Sequence, residues 1–374
     1  MIPNAAFKPG LEGVVAAETR LSSVDGQAGE LIIGGFPVEE LAANATFEEI
    51  VYLLWNGDLP DARQLQSFRQ ALAAQRRVPP ATLEVLRAAA VERLAPMDAL
   101  RMAADTLSLA APEDEALTLV AAFPTIVAAY WRLFNGQTPP EPRADLGHAA
   151  NYLYLLSGSE PSAAQARGLE TYLNTVVDHG LNASTFTARV IISTQSDMIS
   201  AIVGALGALK GPLHGGAPGP ALDMVFEIGD VSNAEPYLRR KLETGERLMG
   251  FGHRVYKVRD PRAEVLSAAA ERLYRAGGDM ALYELARAVE QKAVALLAEY
   301  KPGRNLQTNV EFYTALLLHG LGLPVELFTP TFAVSRVAGW TAHCYEQIEA
   351  NRIIRPQSVY TGVKGRRWTP LEQR

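Results

Sequence analysis

The chain has 374 residues, which is enough to bury a large hydrophobic core and makes two domains a reasonable first expectation. Hydrophobic residues make up 48% and charged residues 20%, as in ordinary soluble globular proteins, and the net charge of −6 argues against general nucleic-acid binding. Cys344 is the only cysteine, which excludes an intramolecular disulfide and a thiolate metal cluster and fits a reducing cytoplasm.

No targeting or membrane segment is predicted. The first 20 residues carry four charged side chains and contain no apolar core of a secretory signal. The longest uncharged stretch, 116–131, is shorter than a membrane span and is interrupted by Pro124, so we predict a buried helix there. These features predict a cytoplasmic protein that does not bind membranes.

The secondary-structure signals begin with a β element and then become helical. Residues 17–36 alternate like short strands, with a turn at Asp25-Gly26. Thr46 opens a capping box for a helix that stops at Gly57, and Ser162 caps a helix that runs to about residue 177. Further helices are predicted after Asp61, near 80–95, 97–110, 113–135 and 144–157, as two helices across 261–299, and over 310–319 and 331–350. The predicted fold is therefore almost all-α.

Two glycine-rich histidine motifs stand out, GPLHGGAPG (211–219) and MGFGHRVYKVRDPR (249–262). A helix capped by Ser196 should end at Gly211-Pro212, which leaves His214 in a loop before a helix whose first turn holds Pro218. The field at that helix N-terminus favours a neutral imidazole. The second motif contains His253 and crowds several positive charges around one acid. The two motifs predict an anionic small molecule and proton chemistry on it.

Other titratable residues are open to two interpretations. His148, His319 and His343 fall within helical patterns and are interpreted as packed or surface residues, whereas His179 lies at a helix end where functional sites concentrate. Glu311 stands at the head of an apolar helix. It is either a base with a raised pKa or a favourable charge on the first helical turn.

The arginines are candidates for binding carboxylates. Arg262, Arg336 and Arg355 lie in loops or beside Pro or Ser, and the guanidinium fork binds a carboxylate in a bidentate manner. The alternative is that they form solvated surface pairs of small energetic value. Metal-binding spacings, a P-loop, GxSxG and GxGxxG are absent from the sequence, so we predict no metal and no nicotinamide cofactor.

These motifs, taken in order, resemble the citrate synthase family over nearly the whole chain. The segments are ETRLSSVDG (18–26), DHGLNASTFTARV (178–190), GPLHGG (211–216), GFGHRVYKVRDPRAEVL (250–266), TNVEFY (308–313), LFTPTFAVSRVAGWTAH (327–343) and NRIIRPQSVYTG (351–362). The short length is similar to the dimeric type found in bacteria and archaea. The resemblance implies a mainly helical homodimer with a small N-terminal β element. It also implies a large domain (1–216 plus 323–374) that carries the dimer interface, and a small domain (217–322) that closes over the substrates.

The resemblance also implies site residues. His214 would polarise the thioester carbonyl of acetyl-CoA, Glu311 would remove a methyl proton, and His253 would bind and polarise the ketone of oxaloacetate. The oxaloacetate carboxylates would be held by a histidine and three arginines, the last of them supplied by the partner subunit: His179, Arg262, Arg336 and Arg355. Coenzyme A would be bound by the glycine-rich loop and by nearby cations: Gly250, Gly252, Lys257, Arg259, Lys301 and Arg304. The thioester is a substrate, and no cofactor is implied.

Two departures from the family pattern keep alternatives open. Glu311 stands where most members have aspartate, and a displacement of the base by about 1 Å can cost roughly 10²-fold in rate. Residues 217–219 read Ala-Pro-Gly where many members read Ala-Asn-Glu. The alternatives are a 2-methylcitrate synthase that uses propionyl-CoA and a weakly active paralogue that binds CoA or dicarboxylates. A nucleic-acid binder using the basic C-terminal segment is disfavoured by the negative net charge.

Overall fold

A computed structural model describes residues 7–215, 219–252, 255–256 and 258–374. The described residues form sixteen α-helices and one small sheet, which confirms the predicted mainly helical fold with an N-terminal β element. The helices are α1 Val38–Asn44, α2 Phe47–Asn56, α3 Ala62–Ala74, α4 Pro80–Val91, α5 Pro96–Asp105, α6 Glu115–Phe134, α7 His148–Ser157, α8 Ala163–Val176, α9 Ala183–Ile192, α10 Met198–Leu209, α11 Gly219–Ile228, α12 Val231–Glu243, α13 Pro261–Gly277, α14 Ala281–Tyr300, α15 Val310–Gly320 and α16 Phe328–Glu349.

The sheet is an antiparallel meander of three short strands, β1 Ser22–Asp25, β2 Glu30–Ile33 and β3 Phe36–Pro37, in the order β1-β2-β3. Ser22 pairs with Ile33 and Asp25 with Glu30. The Asp25 carboxylate accepts the N–H groups of Gln27 and Ala28 in the turn, at 2.8 and 2.9 Å. The sequence-predicted turn is thus closed by its own aspartate, as Asx-turn chemistry favours.

Two long helices form the centre of the core. In α6 nearly every side chain is buried, Pro124 included, and the helix packs against α4, α5, α7 and α16. The prediction of a buried helix over 116–131 is confirmed. Among the described helices, α6 is the one long and apolar enough to cross a membrane, but 72% of its most apolar stretch is buried within the fold. Helix α16 packs against α6, α8, α9 and α10 and carries Arg336 into the interior.

A second group of helices lies beside this core. Helix α13 packs against α15 and against α8, while α12 packs against α14 and α11 against α15. The contact of α13 with both α15 and α8 brings the first turns of α13 and α15 close to the C-terminal end of α8. That meeting point positions the candidate site.

Local signals predicted most helix boundaries, with two kinds of difference. The capping boxes at Thr46 and Ser162 are both formed, which confirms those two predictions. Helix α10 is capped by Asp197, whose carboxylate accepts the Ser200 N–H at 2.7 Å, so the prediction of Ser196 as its cap was wrong. The negative charge of Asp197 also interacts favourably with the dipole at the N-terminus of the helix.

Three helices had no counterpart in the sequence prediction: α1, α9 and α12. Helix α9 reads ASTFTARVII and is rich in β-branched and hydroxyl side chains, which have low intrinsic helix propensity. It forms because Asn182 caps it and because it packs against α10 and α16. Arg336 lies beside Ser335 inside α16, within the helix predicted over 331–350.

Candidate active site

A cavity of about 400 Å³ lies where α8, α13, α15 and α16 meet the loop after α10. Its wall contains five of the sequence-predicted site residues, which come from five separate segments of the chain: His179, His214, Arg262, Glu311 and Arg336. Apolar side chains complete the lining, among them Leu213, Val310 and Phe328. A small, partly apolar cleft with a few convergent polar groups is typical of a site for a small molecule.

His214 is a half-buried neutral histidine held by α9. Its Nε2 accepts the Ser184 N–H at 3.3 Å and lies 2.7 Å from Ser184 Oγ, so the proton of the neutral ring is on Nδ1. The same hydroxyl accepts the indole N–H of Trp340 at 3.0 Å and lies 2.8 Å from Asn182 Oδ1. Burial, together with the positive charge of Arg336, lowers the pKa of His214 to about 4. The expected neutral imidazole is confirmed. The causes in the structure are desolvation and an arginine, whereas the sequence argument relied on a helix N-terminus.

Glu311 lies in the first turn of α15, half-buried against the cavity. Its N–H donates to the Asn309 cap at 2.9 Å, which fixes the start of the helix and the direction of the side chain. Burial raises the pKa of the Glu311 carboxyl, and the nearby Arg262 opposes that rise. A buried carboxylate beside a fixed positive charge can accept a proton from a weak carbon acid while remaining accessible to substrate.

Arg262 lies at the start of α13 and is paired within its own turn. Its Nε and Nη2 donate to the two oxygens of Asp260 at 3.0 and 2.8 Å, and both residues are buried. Burial alone would lower the pKa of Arg262, but the Asp260 carboxylate outweighs it and raises that pKa. Asp260 also caps α13 by accepting the Arg262 N–H. The guanidinium is therefore a permanent positive charge in the cavity wall.

Arg336 and His179 form the opposite wall. Arg336 is buried, donates from Nε to the Val176 carbonyl at 2.8 Å and stacks over the Phe332 ring at 4.5 Å. Burial lowers the pKa of Arg336 to about 10, which leaves the group charged at neutral pH. His179 follows α8, and its Nε2 lies 3.1 Å from the Tyr256 hydroxyl. Two arginines and a histidine facing one cavity suit a small dicarboxylate.

The glycine-rich loop is joined to the residues that precede Glu311. The Gly252 N–H donates to the Gln307 carbonyl at 2.7 Å, and the Asn309 N–H donates to the Gly250 carbonyl at 3.0 Å. Both glycines have positive φ, 85° and 80°. A Cβ at Gly250 would lie 2.9 Å from Phe312. Position 250 therefore requires glycine. The two backbone hydrogen bonds join the loop to the residues at the start of α15.

The remaining predicted residues are not gathered at the cavity. Arg259 pairs with Glu264 and Glu290 at 2.7 and 3.0 Å, and Lys301 and Arg304 lie in the turn after α14. Arg355 is exposed in the irregular C-terminal segment. His253 and Lys257 lie outside the described residues, so their predicted roles stay predictions.

Sequence reasoning missed Ser184 and Trp340, which hold His214, and Tyr256, which contacts His179. The signal for Ser184 was available, since Asn182 is a typical helix cap and would have placed Ser184 in a first helical turn. Trp340 could not have been found in this way, because its partner is 156 residues away in the sequence. Among the described residues, no cluster of His, Cys, Asp and Glu could hold a metal ion.

The comparisons with known proteins agree with this geometry. The family model "Citrate synthase, C-terminal domain" matches residues 10–357. The chain belongs to the citrate synthase family. It is 44% identical to "Citrate synthase 2" of Bacillus subtilis, a match that covers 98% of each chain. It is 40% identical to "2-methylcitrate synthase" of Shewanella oneidensis, covering 98% of this chain and 97% of that enzyme.

The fold comparison gives the same family. The crystal structure of citrate synthase from Pyrobaculum aerophilum superposes with a TM-score of 0.88 at 40% identity, covering 98% of this chain and 95% of that one. The family predicted from the sequence motifs is therefore confirmed, and so is the prediction that the chain is an enzyme of the citrate synthase type.

Proposed function

We propose that this enzyme condenses acetyl-CoA with oxaloacetate and hydrolyses the resulting citryl-CoA to citrate and coenzyme A. One observation carries the proposal: a single cavity holds a buried carboxylate, a neutral histidine and two arginines. Proton removal from a thioester methyl group needs a base and a donor to the carbonyl oxygen. The second substrate needs positive charge for its carboxylates.

The chemistry divides between Glu311 and His214. Glu311 removes a methyl proton from acetyl-CoA, and the electron pair of the broken C–H bond forms an enolate, whose oxygen accepts a hydrogen bond from neutral His214. Because its pKa is about 4, His214 is neutral at neutral pH and acts as an uncharged hydrogen-bond donor. The enolate carbon then attacks the ketone carbon of oxaloacetate, and the resulting alkoxide takes up one proton, which balances the one that Glu311 removed, to become the hydroxyl of citryl-CoA. Water finally cleaves the thioester.

Oxaloacetate is held by groups from three segments of the chain. Arg262 and Arg336 provide fixed positive charges, and His179 provides a hydrogen-bonding imidazole. His253 is expected to polarise the ketone. Arg355 is exposed within a single chain, which fits its predicted contribution to the partner subunit's site in a homodimer.

The dimer can be tested by complementation. Arg355→Ala and Glu311→Gln chains should each be inactive as homodimers. Mixed under conditions of proven subunit exchange, they should regain part of the activity, because one site of each heterodimer would receive both wild-type groups. No recovery would contradict a shared site.

Acyl-CoA is proposed to bind through the glycine-rich loop and nearby cations, with no other cofactor and no metal. Gly250 and Gly252 shape the loop, and Lys257, Arg259, Lys301 and Arg304 would meet the phosphates. The large domain would comprise 1–216 plus 323–374 and the small domain 217–322, closing over both substrates in a cytoplasmic enzyme that binds neither nucleic acid nor membranes. Domain closure would exclude water and strengthen the electrostatic contacts.

A second candidate, 2-methylcitrate synthase, is favoured by similarity to enzymes of that name at 40% identity. One methylene is worth only about 1–3 kcal/mol of discrimination. The test is release of the CoA thiol in the presence of oxaloacetate, comparing kcat/KM for acetyl-CoA and propionyl-CoA. A preference for acetyl-CoA is expected. A preference for propionyl-CoA would change the assignment to 2-methylcitrate synthase. No thiol release with either thioester would contradict the proposed function.

A further inference from the structure

One hydroxyl group of strand β1 forms hydrogen bonds with the residues on both sides of His179. Ser22 Oγ donates to Asp178 Oδ2 and accepts the Gly180 N–H at 2.9 Å. His179 lies between these two anchored residues. Gly180 has a φ of 60°, so the backbone turns sharply directly after the histidine. The ETRLSSVDG motif, which the chemistry leaves unexplained, thus contacts the site through Ser22.

Asp178 is fully buried and has a second donor in His343 of α16. Nε2 of His343 lies 3.2 and 3.3 Å from the two carboxylate oxygens, and Nδ1 lies 3.1 Å from Nη1 of Arg189. Because a guanidinium can only donate, Nδ1 must be the acceptor. The proton of the neutral ring is therefore on Nε2 and points at Asp178. Arg189 fixes this tautomer.

The Asp178 carboxylate also balances the charge of Arg336. Burial would raise the pKa of Asp178, but His343, Arg336 and Ser22 together outweigh it and lower that pKa. Conversely, burial lowers the pKa of Arg336, and the negative charge of Asp178 offsets part of that decrease. The ionised Asp178 carboxylate thus acts on both groups that are proposed to bind oxaloacetate. It is the backbone neighbour of His179, and its negative charge stabilises the charged form of Arg336.

The close approach of the His179 loop to α16 depends on Gly339, because glycine has no side chain. A Cβ at Gly339 would lie 2.3 Å from the Val177 carbonyl oxygen and 3.0 Å from Asp178 Oδ1. Contacts this short do not occur for real Cβ atoms without backbone movement. Gly339 follows Arg336 by three residues, on the same side of the helix. Helix α16 therefore brings Arg336 and the loop together at one place.

We propose that Ser22, Asp178 and His343 form a hydrogen-bonded chain of positioning residues that orients His179 and Arg336 for binding oxaloacetate. The proposal rests on the proposed function, because it assigns these two groups to that substrate. It predicts a selective effect. Breaking the chain should weaken oxaloacetate binding and leave the acyl-CoA side of the site, formed by His214 and Glu311, largely unaffected. A purely structural role would lower thermal stability without separating the two substrates.

The test compares Ser22→Ala with Ser23→Ala. Ser23 is the next residue of the same strand, is exposed on the opposite face and is not part of the site. Loss of a hydrogen bond to a charged group should raise the KM and the calorimetric Kd for oxaloacetate about 10-fold in Ser22→Ala. The KM for acetyl-CoA should change less than about twofold. Ser23→Ala should match the wild type, and Ser22→Thr should restore most of the oxaloacetate affinity.

Asp178→Asn is the second variant, since it removes the charge and retains the size. Its Kd for oxaloacetate should rise at least about 10-fold, more than in Ser22→Ala, because Arg336 also loses its counter-charge. If Asp178→Asn does not fold, the comparison of Ser22→Ala with Ser23→Ala tests the positioning role on its own. An unchanged oxaloacetate Kd in folded Ser22→Ala, or equal rises in both KM values, would overturn the positioning role. Wild-type protein that binds no oxaloacetate would overturn the proposed function and the positioning role together.

Discussion

Replacing Glu311 by glutamine isolates the proposed base. The amide has nearly the size of the carboxylate, and the helix start is preserved because the Glu311 backbone N–H, rather than its side chain, bonds to Asn309. Proton transfer by a positioned side chain contributes about 10²–10⁴-fold to rate, or roughly 3–5 kcal/mol of transition-state stabilisation. We therefore expect kcat to fall by at least about 10²-fold. The affinity for oxaloacetate should not decrease in this variant.

The sign of the binding effect follows from Arg262. Its positive charge is partly balanced by Glu311, and glutamine removes that balance. More of the arginine's field is then available to a dicarboxylate, so the Kd for oxaloacetate should stay the same or decrease. A catalytic defect combined with intact or tighter binding separates loss of the base from general disruption of the site.

The assay is colorimetric release of the CoA thiol, with isothermal calorimetry for oxaloacetate. The protein contributes little background because its only cysteine, Cys344, is fully buried and burial raises the pKa of its thiol to about 12. A kcat within about tenfold of the wild type would refute the assignment of Glu311 as the base. Equal losses of kcat and oxaloacetate affinity would show that the residue supports the site as a whole.

Four further substitutions test other parts of the account. Ser184→Ala should lower kcat about 3- to 10-fold in steady-state assays, because it removes a hydrogen bond of about 1 kcal/mol that holds His214. Gly250→Ala and Gly245→Ala both place alanine at positive φ and should lose about 1 kcal/mol of stability in thermal unfolding. Only Gly250→Ala should raise the KM for acyl-CoA, since a Cβ at Gly245 meets nothing. His148→Gln should reduce the pH dependence of the urea unfolding free energy between pH 6.5 and 3. Burial holds the folded pKa of His148 near 3, so the unfolded chain takes up the proton first and stability falls as pH falls.

Local chemistry explains why much of the fold was predictable. The capping boxes of Thr46 and Ser162 are satisfied within four residues, so the sequence contains everything needed to place those helix starts. Glu311 was recognisable for a similar reason, as a charge at the head of an apolar helix. The cavity and Arg262, which lies on another helix, favour its role as a base over that of a simple first-turn charge, and neither could be located from the sequence.

Long-range contacts explain what could not be predicted. Ser22 and Asp178 are 156 residues apart, and Asp178 and His343 are 165 apart. No periodicity or spacing joins them. His343 was interpreted as a packed or surface residue of a helix. The structure shows that it is buried, and the sequence pattern gave no indication of its partner. The neutral state of His214 was predicted for a different reason from the one found, since its pKa is lowered by burial and by the charge of Arg336, which α16 brings to the cavity.

The most direct test of the proposed reaction is to identify the product by NMR. Thiol release alone does not separate condensation from simple thioester hydrolysis. With acetyl-CoA labelled with ¹³C at the methyl carbon and with unlabelled oxaloacetate, the account predicts that the label appears in a methylene carbon of citrate, in proportion to the thiol released. Labelled acetate with unconsumed oxaloacetate would contradict it, because the new carbon–carbon bond would then not have formed.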